Sequence, residues 1–537
     1  MRKTLVLSLF IGASSVLQAQ EKNSGLSFVD PSIGGVGIIL EPTRPTVHLP
    51  NSMVRVFPMR KDHLDDQVSF FPLSIASHRL YPLFQFMPIS GTGGDEVWDE
   101  RFVYGPETLT PYFYKTTFEP SGISLEFSPR ERSGYFRIRF PDDQANHIRL
   151  GVNHRGDINI EGKRVITGTE EFAGMKAFFY AETDRDIENV RYRESNSKSQ
   201  VLISIGKAPA PLSFRYGISF ISIGQARQNL QNEIPDRDFL AVKSHAAAAW
   251  EDKLDQIQVS GGTEAQKRVF YTSLYRCYER MVDINEYGKY YSAYDRRVHE
   301  SEEPFYVDNW LWDTYIALEP LHMILNPDLE TQKIRSWIKM YEQGGTLPSF
   351  GLVFGDWPAM TGNFAAAWIA DAWFKGLRDF DLESAYAGMR KNSLETTLLP
   401  WRNGPRTSLD SFYTAYGYFP GLPPGEKETV KEVDTAWEKR QSVSVTTANS
   451  YSDWCIARIA SELNKKEDEE LFLKRSEFYR NVFRQEKGFM WPKDKDGNWI
   501  EPYDPRFAGR EYFTENNAYI FNWDVKHDLN GLFELMG

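Results

Sequence analysis

The most constraining feature of this 537-residue chain is a change of hydrophobic period near Ile223. Before it, from about residue 28, short segments alternate apolar and polar residues. Tyr135-Phe-Arg-Ile-Arg-Phe140 sets Phe136, Ile138 and Phe140 on one side and two arginines on the other. That period of two belongs to a strand with one face in a core and the other in water. Met175 to Ala181, Val201 to Ile205 and Leu212 to Ile223 read alike, separated by Gly, Pro, Asn and Asp clusters. Many short strands joined by polar turns predict an antiparallel β-sandwich.

After Ile223 the period becomes helical. Residues 236–258, around Ala246-Ala-Ala-Ala-Trp250, read as a helical linker. Gly261-Gly262 breaks the chain, and Thr263-x-x-Gln266 has the form of a capping box opening a helix with Phe270, Leu274, Cys277 and Met281 on one stripe. Phe364, Trp368, Ala372, Trp373, Gly376, Leu377 and Phe380 trace a second helical face. Ser450-x-x-Asp453 is expected to open a third helix, which turns at Asn464-Lys-Lys466 into a fourth, an αα-hairpin. No self-similar repeat is present, which argues against a solenoid and for a closed toroid of paired helices. At this length two domains or more are expected, since single cores stop growing at roughly 250–300 residues.

Composition narrows the partners. With 62 Lys and Arg against 74 Asp and Glu the net charge is −12, and no basic cluster offers a surface to phosphate backbones, so nucleic acid is excluded. The 36 Phe, 27 Tyr and 14 Trp are mostly core material, though aromatic faces also stack on sugar rings. Arg2 and Lys3 ahead of apolar Leu5 to Gly12, with a small residue at Ala19, predict a secretory signal over residues 1–19 and an exported, periplasmic or secreted, mature protein. No other apolar run approaches the ~18 residues of a membrane span. Cys277 and Cys455 lie on helical stripes among apolar neighbours and read as two buried free thiols.

Carboxylates set among aromatic residues in loops suit glycoside hydrolysis, which needs two carboxyl groups flanking the scissile bond. Phe305-Tyr-Val-Asp-Asn-Trp-Leu-Trp-Asp-Thr-Tyr315 holds Asp308 and Asp313, and Gly355-Asp-Trp-Pro-Ala-Met360 holds Asp356. Trp437-Glu-Lys-Arg-Gln441 and Tyr512-Phe-Thr-Glu-Asn-Asn-Ala-Tyr519 follow, with Glu515 expected at the start of a helix. Taken singly, each of these carboxylates is better explained as a helix cap or a surface salt bridge. Asp494-Lys-Asp-Gly-Asn498 imitates the start of a calcium loop, but Pro505 stands where an EF-hand needs a bidentate Glu, so it reads as a polar turn.

Taken together, these strings resemble glycoside hydrolase family 92. So do Pro50-Asn-Ser-Met-Val-Arg55, Tyr81-Pro-Leu-Phe-Gln-Phe-Met-Pro88, Val259-Ser-Gly-Gly-Thr-Glu264, Lys375-Gly-Leu-Arg-Asp-Phe380, Tyr451-Ser-Asp-Trp-Cys455 and Thr514-Glu-Asn-Asn517. The resemblance runs from about residue 28 to the end. It implies a signal peptide over 1–19, an N-terminal β-sandwich over 22–235, a helical linker over 236–262 and a partial (α/α)6 toroid over 263–537. It further implies a calcium-dependent, inverting exo-α-mannosidase that removes terminal mannose from N-glycan or mannan chains. Glu515 matches the general acid. Trp312, Asp313, Asp356 and Arg440 match positions near the sugar pocket.

The departures bear on activity. In the family, a metal-binding Asn-Glu-Pro string and the carboxylate pair with the general base follow the position of Gly537. The resemblance therefore implies a truncated chain, inactive alone, whose own residues supply no metal ligand set. Asn363 stands where His is frequent and Asn309 where Asp is frequent, which bears on the leaving group. Two rival readings remain: a non-catalytic mannan- or glycan-binding protein, and a family 65-like disaccharide phosphorylase.

Overall fold

The computed structural model describes residues 24–37, 43–77, 80–141, 144–195, 198–207, 210–435 and 437–537. The expected signal segment, residues 1–19, lies outside them.

The first half is a β domain built on a 14-stranded hydrogen-bonded sheet. Its neighbours run antiparallel, apart from a single parallel bridge, Gly156 to Lys198. One edge is the strand Gln67–Val68 and the other is Gln85–Ser90. The sheet folds over so that its far edge packs on its middle: Phe86 stacks on Phe136 at 4.2 Å and meets Phe214 at 4.7 Å. This doubling produces the sandwich that alternation demands, because each inner apolar face needs a partner. The period-two reading of Phe136 and Ile138 holds, as both are fully buried.

Helices then take over: α1 (Ile223–Glu233), α2 (Phe239–Leu254), α3 (Glu264–Arg276), α4 (Leu311–Thr314), α5 (Leu318–Leu325), α6 (Pro327–Gly344), α7 (Phe364–Phe374), α8 (Leu382–Leu394), α9 (Ser408–Tyr416), α10 (Ser442–Glu462), α11 (Lys466–Ser476), α12 (Ala518–Phe521) and α13 (Leu529–Met536). The capping box opens α3 as read, with Thr263 accepting from Gln266 N and the Gln266 side chain reaching back. The segment expected as a linker is more than a connection, since Trp250 of α2 is fully buried and donates to His48 O at 2.7 Å. No helix among the described residues is long and apolar enough to cross a membrane.

Helix bounds are corrected at three places: α3 stops at Arg276, short of Met281, α7 stops at Phe374, short of Leu377 and Phe380, and α10 begins before Ser450. Ser450 and Asp453 do not open a helix; they lie within α10, which begins at Ser442. The helix carries a run of buried Ser, Thr and Asn, and the hydroxyls of Thr446, Ser450 and Ser452 donate to carbonyls one turn back. Such back-bonding lets polar residues sit inside a buried helix, so polarity there marks no terminus. Asp453 instead pairs with Arg475 at 2.8 Å and accepts from Ser393 at 2.5 Å, both buried, which pins α11 to α10. The αα-hairpin at Asn464 is present, with Asn464 left-handed at φ 57°. Cys277 and Cys455 are free thiols, pushed up to about 11 and about 12 by burial.

The two halves share one core. A single buried apolar cluster runs from Val47 of the β domain to Phe472 of α11. Across the junction, Asn51 takes the Tyr278 carbonyl with its backbone N–H at 2.9 Å and the Met281 carbonyl with its side-chain amide at 2.7 Å. Arg55 pairs with Asp308 at 2.7 Å, and Ser77 donates to the other Asp308 oxygen at 2.5 Å. Both charges are buried, and breaking a buried pair by removing one partner costs about 3–5 kcal/mol. Arg55→Met, which leaves Asp308 in the dark, should lower the unfolding free energy by about that amount in denaturant titration; a loss under ~1 kcal/mol would mean that the pair does not hold the domains together.

Candidate active site

The segment after Asp308 is presented by a small three-stranded sheet. Asn309 pairs with Gly351 and Trp310 with Phe350, while Phe350 pairs in turn with Trp357 and Gly351 with Asp356. Two of the strings singled out in the sequence are thereby set side by side. Gly351 leaves room for the Trp337 ring, which a Cβ would strike. Asn309 is fully buried, donates to Glu319 at 2.8 Å and accepts from Thr314 at 2.8 Å, so it fixes the base of α4. Glu319 also faces the buried Lys333 at 3.2 Å, which Glu330 meets from the other side at 3.2 Å. Burial pushes the Glu330 carboxyl up. On this support α4 carries Trp312 half-buried and Asp313 exposed.

Asp356 ends the same sheet. One carboxylate oxygen accepts from Ser349 N at 2.9 Å and Phe350 N at 3.2 Å, and the other from Asn403 Nδ2 at 2.8 Å. Burial outweighs these bonds and pushes its pKa from 3.8 up to about 6. Ser349, Phe350 and Asn403 join Trp312, Thr361 and Asn363 in lining a cavity of about 440 Å³. Asp356 thus shapes the wall of that cavity with both of its oxygens engaged.

Glu515 does not open a helix. Asn517 is the cap, accepting from Tyr519 N, and α12 starts at Ala518. Glu515 sits before it in the left-handed region at φ 55° with its side chain 46% exposed. A glutamate held there is strained by about 1–3 kcal/mol and persists only where its surroundings impose it. Those surroundings are explicit. Thr514 is buried, donates from its N–H to Ser444 Oγ at 2.9 Å and from its hydroxyl to Gln441 Oε1 at 2.6 Å. Gln441, left-handed at φ 48° and fully buried, donates from Nε2 to the Glu438 carboxylate at 2.7 Å. Thr361 of the cavity wall lies 3.2 Å from the Thr514 hydroxyl, so the loop that carries Glu515 borders the cavity that Trp312 lines.

Arg440 goes elsewhere. Its guanidinium makes a two-pronged pair with Glu428 at 2.6 and 2.7 Å and donates to Pro420 O at 3.1 Å. It lines a second hollow of about 650 Å³ with Tyr503, Phe507 and Tyr512. Every guanidinium nitrogen is engaged, so as placed it braces the 420–440 loop and not the cavity of Trp312.

Residues 225–537 match the family described as Glycosyl hydrolase family 92 catalytic domain, and residues 28–260 match its N-terminal domain. The chain belongs to glycosyl hydrolase family 92. A family 92 inverting mannosidase from Bacteroides thetaiotaomicron is similar at 26% identity and TM-score 0.87, over 97% of this chain and 73% of that one. A second family 92 α-mannosidase of that species shares the fold at 22% identity and TM-score 0.82, over 96% of this chain and 73% of its own. An uncharacterized secreted glycosidase of Arthroderma benhamiae is 25% identical over 356 residues, which are 61% of this chain and 40% of the relative's length. The chain therefore spans less than half of that curated relative.

Family membership sharpens what the residues supply and what they do not. Among the described residues no three His, Cys, Asp or Glu side chains gather into a group that could hold a metal ion. Asp494 is a turn residue, accepting from Asp496 N and Asn498 N at 2.9 and 2.8 Å. Asn363 stands just before α7 without a side-chain cap bond, and its amide donates to Met389 O at 3.0 Å. Two residues escaped the sequence reading. Arg280 lies over the Trp310 ring at 4.9 Å in the field of Asp308 and Asp313, with burial lowering its pKa. Arg510 reaches Glu515 at 3.5 Å. Neither carries a motif, because an arginine placed by tertiary contact has no local spacing to reveal it.

The raised Asp356 pKa has a measurable sign. The folded state holds that proton more tightly than the unfolded chain, so its stabilisation is full below about pH 4 and is lost as pH rises through about 6. Unfolding free energies measured across pH 4–6 should decline for the native chain relative to Asp356→Asn. Parallel curves for the two would refute a raised Asp356.

Proposed function

We propose that this chain belongs to an exported, calcium-dependent, inverting exo-α-mannosidase acting on terminal mannose of N-glycan or mannan chains, with Glu515 as its general acid. The observation that carries the reading is Glu515: a half-exposed carboxyl in a left-handed turn, imposed by buried Thr514 and Gln441 next to the cavity of Trp312. The likeness over 97% of the chain to an inverting mannosidase supports the substrate class.

In such a reaction Glu515 gives its proton to the leaving glycosidic oxygen as the bond from that oxygen to the anomeric carbon breaks. Water attacks that carbon from the opposite face and yields its proton to a second carboxylate, about 6.5–9.5 Å from the first in inverting enzymes. Glu438 is not that base, since it is buried and committed to Gln441 and Arg510. No residue of this chain is assigned the role. Trp312 offers a ring at the cavity edge, the kind of surface on which a sugar packs.

The test is turnover of an α-mannobioside against a dinitrophenyl α-mannoside, measured in a version of the protein that spans the full length of its family relatives. Glu515→Gln should cut the first by about 10²–10⁴-fold and spare the second, whose leaving group needs no proton. Chelation with EDTA should abolish turnover of both, and added calcium should restore it. Equal turnover by the variant on both substrates would sink the acid assignment, and indifference to EDTA would sink the calcium requirement. Tight binding of mannosides without any hydrolysis would favour a glycan-binding protein. Export is part of the same reading, with residues 1–19 as the signal; recovery of the mature protein with Met1 still attached would argue against it.

A further inference from the structure

Glu515 is tied at two points to one buried pair of residues. Its backbone neighbour Thr514 bonds Gln441 Oε1 at 2.6 Å, and Gln441 Nε2 bonds Glu438 Oε2 at 2.7 Å. From the other Glu438 oxygen the contact passes to Arg510 Nη1, and Arg510 Nη2 lies 3.5 Å from Glu515 Oε1. The peptide bond from Thr514 to Glu515 closes the ring. Within it Glu438 and Gln441 are buried, whereas Arg510 and Glu515 face outward.

The guanidinium is planar, and its donors form a rigid fork. Glu438 occupies one prong, and the face of the group lies over the Trp437 ring at 4.9 Å. From that position the second prong reaches toward Glu515, 3.5 Å away. We propose that Arg510 is a positioning residue: held by Glu438 and Trp437, it sets the rotamer of the Glu515 carboxyl from which the proton is delivered. This rests on the reading of Glu515 as the acid. It goes further by assigning to the Trp437-Glu438 segment the task of aiming that acid. The backbone at φ 55° fixes where the side chain begins, and Arg510 fixes where it ends.

A carboxyl displaced by about 1 Å from its leaving oxygen loses up to roughly a hundredfold in rate. Arg510→Lys is the informative variant. Lysine keeps a cation for the buried Glu438, which Arg510→Met would leave unpaired, but a single ammonium cannot reproduce the two-pronged reach. The expected result, in the same family-length version of the protein, is a kcat on α-mannobioside lower by about tenfold to a hundredfold, with KM nearly unchanged. The dinitrophenyl mannoside should be turned over normally and the melting temperature kept. Arg510→Met should show the same dependence on leaving group wherever it folds.

Loss of equal size on both substrates would make Arg510 a structural residue and overturn the proposal, as would normal turnover of both. Glu515→Gln in the same assay separates the two claims. If it shows the leaving-group dependence and Arg510→Lys does not, only the positioning role falls. If Glu515→Gln shows none, the acid assignment falls and takes this inference with it.

Discussion

The Asp308 carboxylate is the point on which the arrangement turns. It is buried, left-handed at φ 68°, and held by Arg55 and Ser77 from the β domain. A charge in that position is tolerable only because each oxygen has a partner, and both partners come from the other half of the chain. The next residues, Asn309 to Asp313, are the ones that enter the small sheet and start α4. The domain junction and the wall of the cavity are therefore one piece of structure. A shift of the β domain would move Trp312 with it.

A second regularity follows from the backbone. Asn51, Tyr81, Phe84, Asp308, Met360, Gln441 and Glu515 all have left-handed φ, and each lies in one of the strings that stood out in the sequence. Non-glycine residues accept that region only where contacts compel them. At Gln441 and Glu515 the compelling contacts are on view: Thr514, Ser444 and Glu438 saturate the polar groups that a relaxed turn would release to water. Strain of this kind aims side chains in directions that helices and strands do not offer. The loop that carries Glu515 owes its geometry to these bonds and not to a helix terminus.

Much of the molecule was legible beforehand because it depends on local periodicity. Phe136 and Ile138, the Thr263 capping box and the Asn464 turn follow from side-chain spacing and cap chemistry, which act within a few residues. The errors have a common cause. Ser450 has the form of a cap and is the interior of a buried helix, and Glu515 has the form of a helix start and is a strained turn; the pairing of Arg440 with Glu428 is likewise unwritten in its local string. In each case a partner distant in sequence, or one turn away in a buried helix, decides the role. Several of the telling strings serve scaffolding alone: Asp453 pins α11, and Gly376 at φ 99° ends α7.

By itself the sequence determined the two architectures, their order and the family, since periodicity and ordered strings are written along the chain and survive without knowledge of contacts. Tertiary structure alone decided which carboxylates are engaged and which stays half-exposed. Asp356 and Glu438 are spent on hydrogen bonds and buried pairs, whereas Glu515 is half-exposed beside Thr514, whose hydroxyl meets Thr361 of the cavity wall. Arg510 owes its part to the same cause. The physical reason is that burial, desolvation and the aim of a guanidinium depend on what packs around a residue in three dimensions, and residues 438, 441, 510 and 515 meet only when the chain has folded.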